Sequence, residues 1–346
     1  MSEVVDLHVH MAARKRAGCK LSAAMLSEPA FPYALVRSGV NMADLMRDFD
    51  STVEEHIVGL ICDADSVDKV VLLAMDGVYT DGVYNDERTH FMVSNECVRQ
   101  IAEDHPGDVL WGASVNPARA DAVGVLEDCL TWDPPPALLK WMPNSQEFHP
   151  YCDVPDAFYE CLRREGLPLL CHTGVEHAVH VERRPIDYQT YGNPRNLCKA
   201  LDMGVTVIAA HCATRYFPWD AYDGLHELAQ MMALAQTGKP HWRLYADVSA
   251  MCNLTRAGII DDVLEAIPGE RMVLGSDYPV PVDDMPQAMR ATDPADEQSS
   301  VWSLSNAIDK NHAQLLAMGF PQEIGTRARA LLNPDALTWA AEHAGQ

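Results

Sequence analysis

Eight short apolar runs recur along the chain, most of them separated by stretches with helical periodicity. They are VVDLHVH (4–10), VDKVVLLAMDG (67–77), VLWGASVNP (109–117), ALLKWMP (137–143), PLLCHTG (168–174), VTVIAAH (205–211), WRLYADVSA (242–250) and RMVLGSDYP (271–279). Their near-continuous apolar character is that of strands buried on both faces of a parallel sheet. The intervening pattern predicts helices over 89–105, 119–132, 156–166, 193–204, 221–237 and 259–269, with Gly166, Gly204 and Pro268-Gly269 as stop signals. Eight strands alternating with helices predict an α/β protein of the (β/α)8 TIM-barrel type, with its chemistry at the C-terminal ends of the strands. A doubly wound open sheet is the alternative, but it would not bring strands 1, 4, 5, 6 and 8 to one point.

Two segments depart from this rhythm. Residues 11–66 form a helical insertion after strand 1, with helices near 41–49 and 52–64, placed to act as a lid over the catalytic mouth. From about 302 to 346 the pattern is helical again and predicts an extension packed outside the barrel. The Pro134–Pro136 run reads as a rigid lead into strand 4. With no repeat, low-complexity tract or linker, residues 1–346 are expected to form one domain.

Composition narrows the options. The 346 residues carry 50 acidic and 26 basic side chains, a formal net charge of −24 that would repel nucleic acid and anionic membranes. Hydrophobic residues make up 48%, enough for a sizeable core. The ten cysteines have irregular spacing and no CxxC pair, which predicts reduced thiols. With no signal peptide and no bilayer-length apolar run, the expected location is the cytoplasm.

The polar residues at the strand ends carry the chemistry. His8 and His10 lie two apart on strand 1, so both face the same side and can share one ion. His172 and His211 end strands 5 and 6. Asp277 follows VLGS at the end of strand 8, where a buried carboxylate must be paired, protonated or metal-bound. Lys140, inside ALLKWM, either pairs with a carboxylate or is carboxylated by carbon dioxide into a bridging oxygen ligand. Imidazoles plus a carboxylate suit a divalent metal, most simply Zn2+, with Mn2+ and Fe2+ also compatible. Such an ion lowers the pKa of bound water from about 15.7 towards ~7 and polarises a carbonyl. Asp277 then serves as ligand and proton acceptor, and His211 orients water or stabilises an oxyanion. No nucleophile elbow, phosphate loop, HExxH or dinucleotide fingerprint competes.

These motifs resemble the amidohydrolase superfamily: H-x-H on strand 1, Lys or Glu on strand 4, His on strands 5 and 6, Asp on strand 8. The phrases LPLLCHTG, VTVIAAHCAT and LGSDYP most resemble its amidohydrolase-2 branch, which includes the aminocarboxymuconate-semialdehyde decarboxylase-like enzymes. The decarboxylase-like pattern implies one metal on His8, His10, His172 and Asp277, with His211 catalytic. The two-metal hydrolase pattern adds His211 as a ligand and carboxylated Lys140 as the bridge. Lysine at this position, where decarboxylase-like members often lack one, leaves one ion and two ions both open. The resemblance also implies a homodimer.

The leading expectation is a hydrolase of a small amide, lactone or related ester, acting on a substrate that bears a carboxylate or carbonyl. Non-oxidative decarboxylation of an unsaturated or aromatic acid is the rival, and a non-catalytic metal-binding barrel is the reading from another class. Glu176 and His177 in HTGVEH are candidate substrate groups against a reading as plain loop residues. Arg215 and the Arg14–Arg16 cluster are candidates for a substrate carboxylate, each weighed against a solvated charge. Asn193 and Arg195 in GNPRN could start a helix facing the same rim, with Asn193 before Pro194 more simply an N-cap.

Overall fold

The computed structural model describes residues 3–28, 30–181, 187–290 and 301–345. Strands β1 (Val5–His10), β2 (Lys69–Leu73), β3 (Val109–Ala113), β4 (Leu138–Trp141), β5 (Leu169–Cys171), β6 (Val207–Ala209), β7 (Leu244–Asp247) and β8 (Met272–Val273) lie side by side in chain order. Every pairing in this sheet is parallel. The last strand returns to the first. Leu7 N donates to Leu274 O at 3.1 Å, Asp277 N to His8 O at 2.8 Å and His10 N to Tyr278 O at 2.7 Å. The chain is therefore an α/β barrel with helices outside, as its apolar rhythm predicts.

Alternation along β1 explains how the first strand supplies the site. Val5, Leu7 and Val9 are fully buried on one face, while Asp6, His8 and His10 share the other. Asp6 Oδ1 accepts from His8 N and from Ser276 N, each at 3.0 Å, and so joins β1 to the segment after β8. Burial raises its carboxyl to about 6.

Several helices differ from the sequence pattern in extent. The helix expected over 89–105 spans Asn95–Asp104, because Ser94 caps it and Phe91–Met92 pairs instead with Lys20–Leu21 as a small antiparallel strand. The stretch 193–204 divides into a 3-10 turn, Pro194–Leu197, and a helix, Cys198–Asp202. The helix expected from 221 begins at Leu225, since Gly224 N donates to Ala213 O at 2.8 Å and holds the preceding residues in a turn. The helix over Asp156–Glu165 ends at Gly166, in the left-handed region with φ 65°.

The insertion is helical, with segments Ala23–Ser27, Ala30–Arg37, Met42–Arg47 and Phe49–Cys62. Its base is clamped by the nearly buried carboxylate of Asp50, which accepts backbone N–H groups of Arg14 (2.6 Å), Lys15 (2.7 Å) and Arg16 (3.0 Å). The Arg16 guanidinium pairs with Glu54, so this basic cluster serves the insertion and does not line the central cavity. At the C-terminal end, helices Ala307–Ala317, Ile324–Leu331 and Pro334–His343 lie against the barrel. Asn333 ties them to the start of β4 through Ala137 O and Pro136 O, both at 2.9 Å. All ten cysteines are free. No helix among the described residues is long and apolar enough to cross a membrane.

Gly275 shows how tightly the site is built. A Cβ there would lie 2.8 Å from His8 Cβ and 3.1 Å from Ser249 Cβ. Gly275→Ala is expected to cost about 1–3 kcal/mol by overpacking and to displace His8. Denaturant unfolding checks it, and unchanged stability would contradict this account of the packing.

Candidate metal centre

Four of the expected residues meet at one point. His8 Nε2 lies 3.1 Å from His10 Nε2 and 3.3 Å from Asp277 Oδ1, and His10 Nε2 lies 3.4 Å from the same oxygen. Lys140 Nζ approaches His8 Nε2 at 2.6 Å. A single imidazole lone pair cannot satisfy three polar neighbours. The spacing is that of donors around a cation: at bond lengths of about 2.1 Å, donors stand roughly 3.0 Å apart at right angles and roughly 3.4 Å apart at tetrahedral angles. His172 adds a second sign, because both its ring nitrogens are buried without a hydrogen-bond partner among the described residues. The donor set therefore fits a divalent metal.

The tautomer of His8 is set by a carboxylate on β7. Asp247 Oδ2 lies 2.7 Å from His8 Nδ1, and both side chains are fully buried. Burial alone would raise the Asp247 carboxyl, but the imidazole of His8 holds it well below the usual range. The ionised carboxylate accepts a hydrogen bond from Nδ1–H and leaves Nε2 unprotonated, facing His10 and Asp277. Asp247 Oδ1 also accepts from His211 N at 2.7 Å and from Ser249 Oγ at 2.5 Å. His8, His211 and Asp247 also bring ligand-type atoms close together. That group is already closed by hydrogen bonds, so it is the support of the centre and not a second one.

His211 and Asp277 share an uncommon backbone. Both lie in the left-handed region, at φ 57° and 62°, and Cys212 and Ala213 continue it after His211. Such residues cost of order 1–3 kcal/mol each and persist only where the surroundings hold them. Asp247 holds His211 N, and His8 O holds Asp277 N. Ser249 Oγ lies 2.7 Å from His211 Nδ1 and gives its own proton to Asp247. It therefore accepts from His211 Nδ1–H, which leaves Nε2 unprotonated in the neutral ring. Burial lowers His211 to about 3 and His10 to about 4. Burial would raise Asp277, yet His211, His8 and a hydrogen bond from His10 hold it well below the carboxylate range.

His172 stands slightly apart, its ring centroid 5.0 Å from that of His211 and its Nε2 3.5 Å from Glu176 Oε2. Lys140 is fully buried, and burial lowers its amine. Glu176 lines the cavity, its carboxylate accepting from Ala178 N and Val179 N, with burial raising its pKa. His177 lies at the mouth, 3.0 Å from Asp220 Oδ1. Arg215 does not line the cavity; its Nε lies 3.8 Å from Asp223. Asn193 caps the turn it precedes, and Arg195 bonds to Gln230.

Arg256 is the arginine in the cavity wall. It is buried, with Nε donating to Thr214 Oγ1 at 3.1 Å and its guanidinium carbon 4.8 Å from the Tyr216 ring centroid. Its Nη1 has no hydrogen-bond partner among the described residues. Asp247 in LYADVS ends an apolar run just as Asp277 does, so its place at the site is legible in the sequence. Arg256 carries no such signal: its burial follows from a turn capped by Asn253 and from the distant Thr214.

The lowered His10 gives a direct check. In the metal-free protein its ring should stay neutral as pH falls, taking a proton only near 4. Its resonances in an NMR titration should therefore be flat between neutral pH and about 5, whereas a free imidazole turns over near its ordinary value of about 6.5. A midpoint at that ordinary value would contradict the buried site.

Comparison with known proteins agrees with this architecture. An uncharacterized TIM-barrel protein from Bordetella bronchiseptica superposes with a TM-score of 0.55 at 16% identity, covering 91% of this chain and 99% of its own. A protein described as a candidate 2-pyrone-4,6-dicarboxylic acid hydrolase from Pseudomonas putida gives 0.51 at 13%, covering 99% of each chain. A 2,6-dihydroxybenzoate decarboxylase from Rhizobium gives 0.50 at 15%, covering 96% and 98%. At these identities the likeness is one of fold. No curated protein sequence matches. A family model described as amidohydrolase matches residues 68–302, well over half of the chain. The chain belongs to the amidohydrolase family.

Proposed function

We propose that the chain is a metal-dependent hydrolase that cleaves an amide, lactone or related ester with activated water. The observation that carries this reading is Lys140. It is a fully buried amine, its charge disfavoured by burial, 2.6 Å from His8 Nε2 and without an ion pair to a carboxylate among the described residues. An uncharged amine can add to carbon dioxide: an N–C bond forms, a proton leaves, and the anionic carbamate supplies oxygen donors. On this reading His8, His10 and Asp277 would hold one ion, and a carbamate on Lys140 with His172 and His211 would hold another. A bound divalent ion acidifies water and polarises a carbonyl.

The remaining work falls to the chain. Asp277, kept ionised by its imidazole neighbours, accepts a proton from water and returns it to the leaving amine or alkoxide. His211 keeps Nε2 as an acceptor because its Nδ1–H donates to Ser249 Oγ. Arg256 offers its free Nη1 to a substrate carboxylate or developing oxyanion.

Arg256 also supports a second reading, non-oxidative decarboxylation, since a buried guanidinium with a spare N–H suits an acid. In that case Lys140 stays unmodified, one ion suffices, and carbon takes up a proton as carbon dioxide leaves. Structural relatives named for a hydrolase and for a decarboxylase do not separate the two.

Intact-mass and metal analysis of the purified protein separate them. Two ions per chain with the mass of one carbon dioxide on Lys140 are expected, together with turnover of lactones or amides. One ion, a free lysine and carbon dioxide release from acids would transfer the assignment to decarboxylation. Asp277→Asn should fold and lose roughly 10²–10⁴-fold in kcat, and near-wild-type rates would refute its role.

A further inference from the structure

The cavity above the centre has two chemically different ends. One holds His10, His172, His211, Asp277 and Arg256. The other is walled by the insertion, through Met25, Phe31, Leu35, Val40, Val53 and Ile57, all buried apolar side chains. The cavity volume is about 110 Å³, so an occupant lies in close contact with this wall. Water gains little against an apolar wall of this kind, whereas hydrocarbon is favoured there.

Charge limits the occupant further. Among the described residues lining the cavity, Arg256 is the one permanent cation, and Glu176 and Asp277 are acidic. A second carboxylate on the substrate would be carried to the apolar end without a partner, at a large desolvation cost.

We propose that the substrate is an amphiphilic monoacid or acyl compound. Its single carboxyl or carbonyl head is held at Arg256 and the histidine centre, and its aliphatic or ring-fused body lies in the compartment formed by the insertion. This rests on the reading that the centre receives the head of the substrate. It makes the insertion the element that sets specificity, through chain length and through rejection of diacids.

The experiment uses the full-length, zinc-loaded protein and unbranched carboxylates from butanoate to dodecanoate, with binding read by displacement of an apolar fluorescent dye. Affinity should rise roughly fourfold per methylene and then level off when the compartment is full. Dodecanedioate should bind at least about 30-fold more weakly than dodecanoate, reflecting an unpaired buried carboxylate. Ala34→Trp replaces a half-buried lining residue with a bulky one. It should bring the plateau to shorter chains while leaving butanoate affinity within about twofold. Affinity independent of chain length, or a diacid bound as well as the monoacid, would overturn the proposal whether or not the variant folds. Rising affinity with no turnover of any matching ester, amide or acid would leave this compartment standing and refute the catalytic reading alone.

Discussion

The Asp247 carboxylate is the constraint on which the centre depends. One oxygen accepts from His8 Nδ1–H and so leaves the lone pair of the other ring nitrogen free to face a metal. The other oxygen holds the backbone N–H of His211 and the hydroxyl of Ser249, which in turn fixes the His211 ring. Two imidazoles on opposite sides of the site are thus oriented from one point on β7. A buried carboxylate with this many donors is ionised despite its burial. Its charge also offsets part of the field of any cation placed above it.

The second constraint is the return of β8 to β1. Asp277 reaches His8 and His10 because its own amide bonds to His8 O, and because Gly275 leaves no Cβ between the two segments. Asp6, beneath His8, bonds to both segments. Closure of the barrel and assembly of the ligands are therefore the same set of contacts. That is why residues more than two hundred positions apart meet within hydrogen-bond range. The left-handed backbone at His211 and Asp277 belongs to this arrangement, being tolerated where neighbouring hydrogen bonds fix it.

Much of this was legible in the chain. Buried parallel strands declare themselves by continuous apolar runs, and a polar group at the end of such a run needs a hydrogen-bond partner, an opposite charge or a metal. His8, His10, His172, His211, Lys140 and Asp277 stand out by that argument. Asp247 satisfies it too, but no metal-ligand pattern draws attention to a supporting carboxylate. Arg256 was not legible, since its burial is produced by tertiary packing against Thr214 and Tyr216. Arg215, nearer to His211 in sequence, looked the better anchor but faces Asp223. Sequence proximity is a poor guide where a loop leaves the barrel. The insertion was visible as a helical excursion, but the apolar inner wall it presents to the cavity depends on how its helices fold back over β1.

The central claim is that β1 and the segment after β8 present a shared set of donors to one cation. Anomalous diffraction from zinc-loaded crystals tests it most directly. The account predicts a peak within about 2.0–2.2 Å of His8 Nε2, His10 Nε2 and an Asp277 carboxylate oxygen. Zinc bound elsewhere at full occupancy, with these three groups uncoordinated, would contradict it.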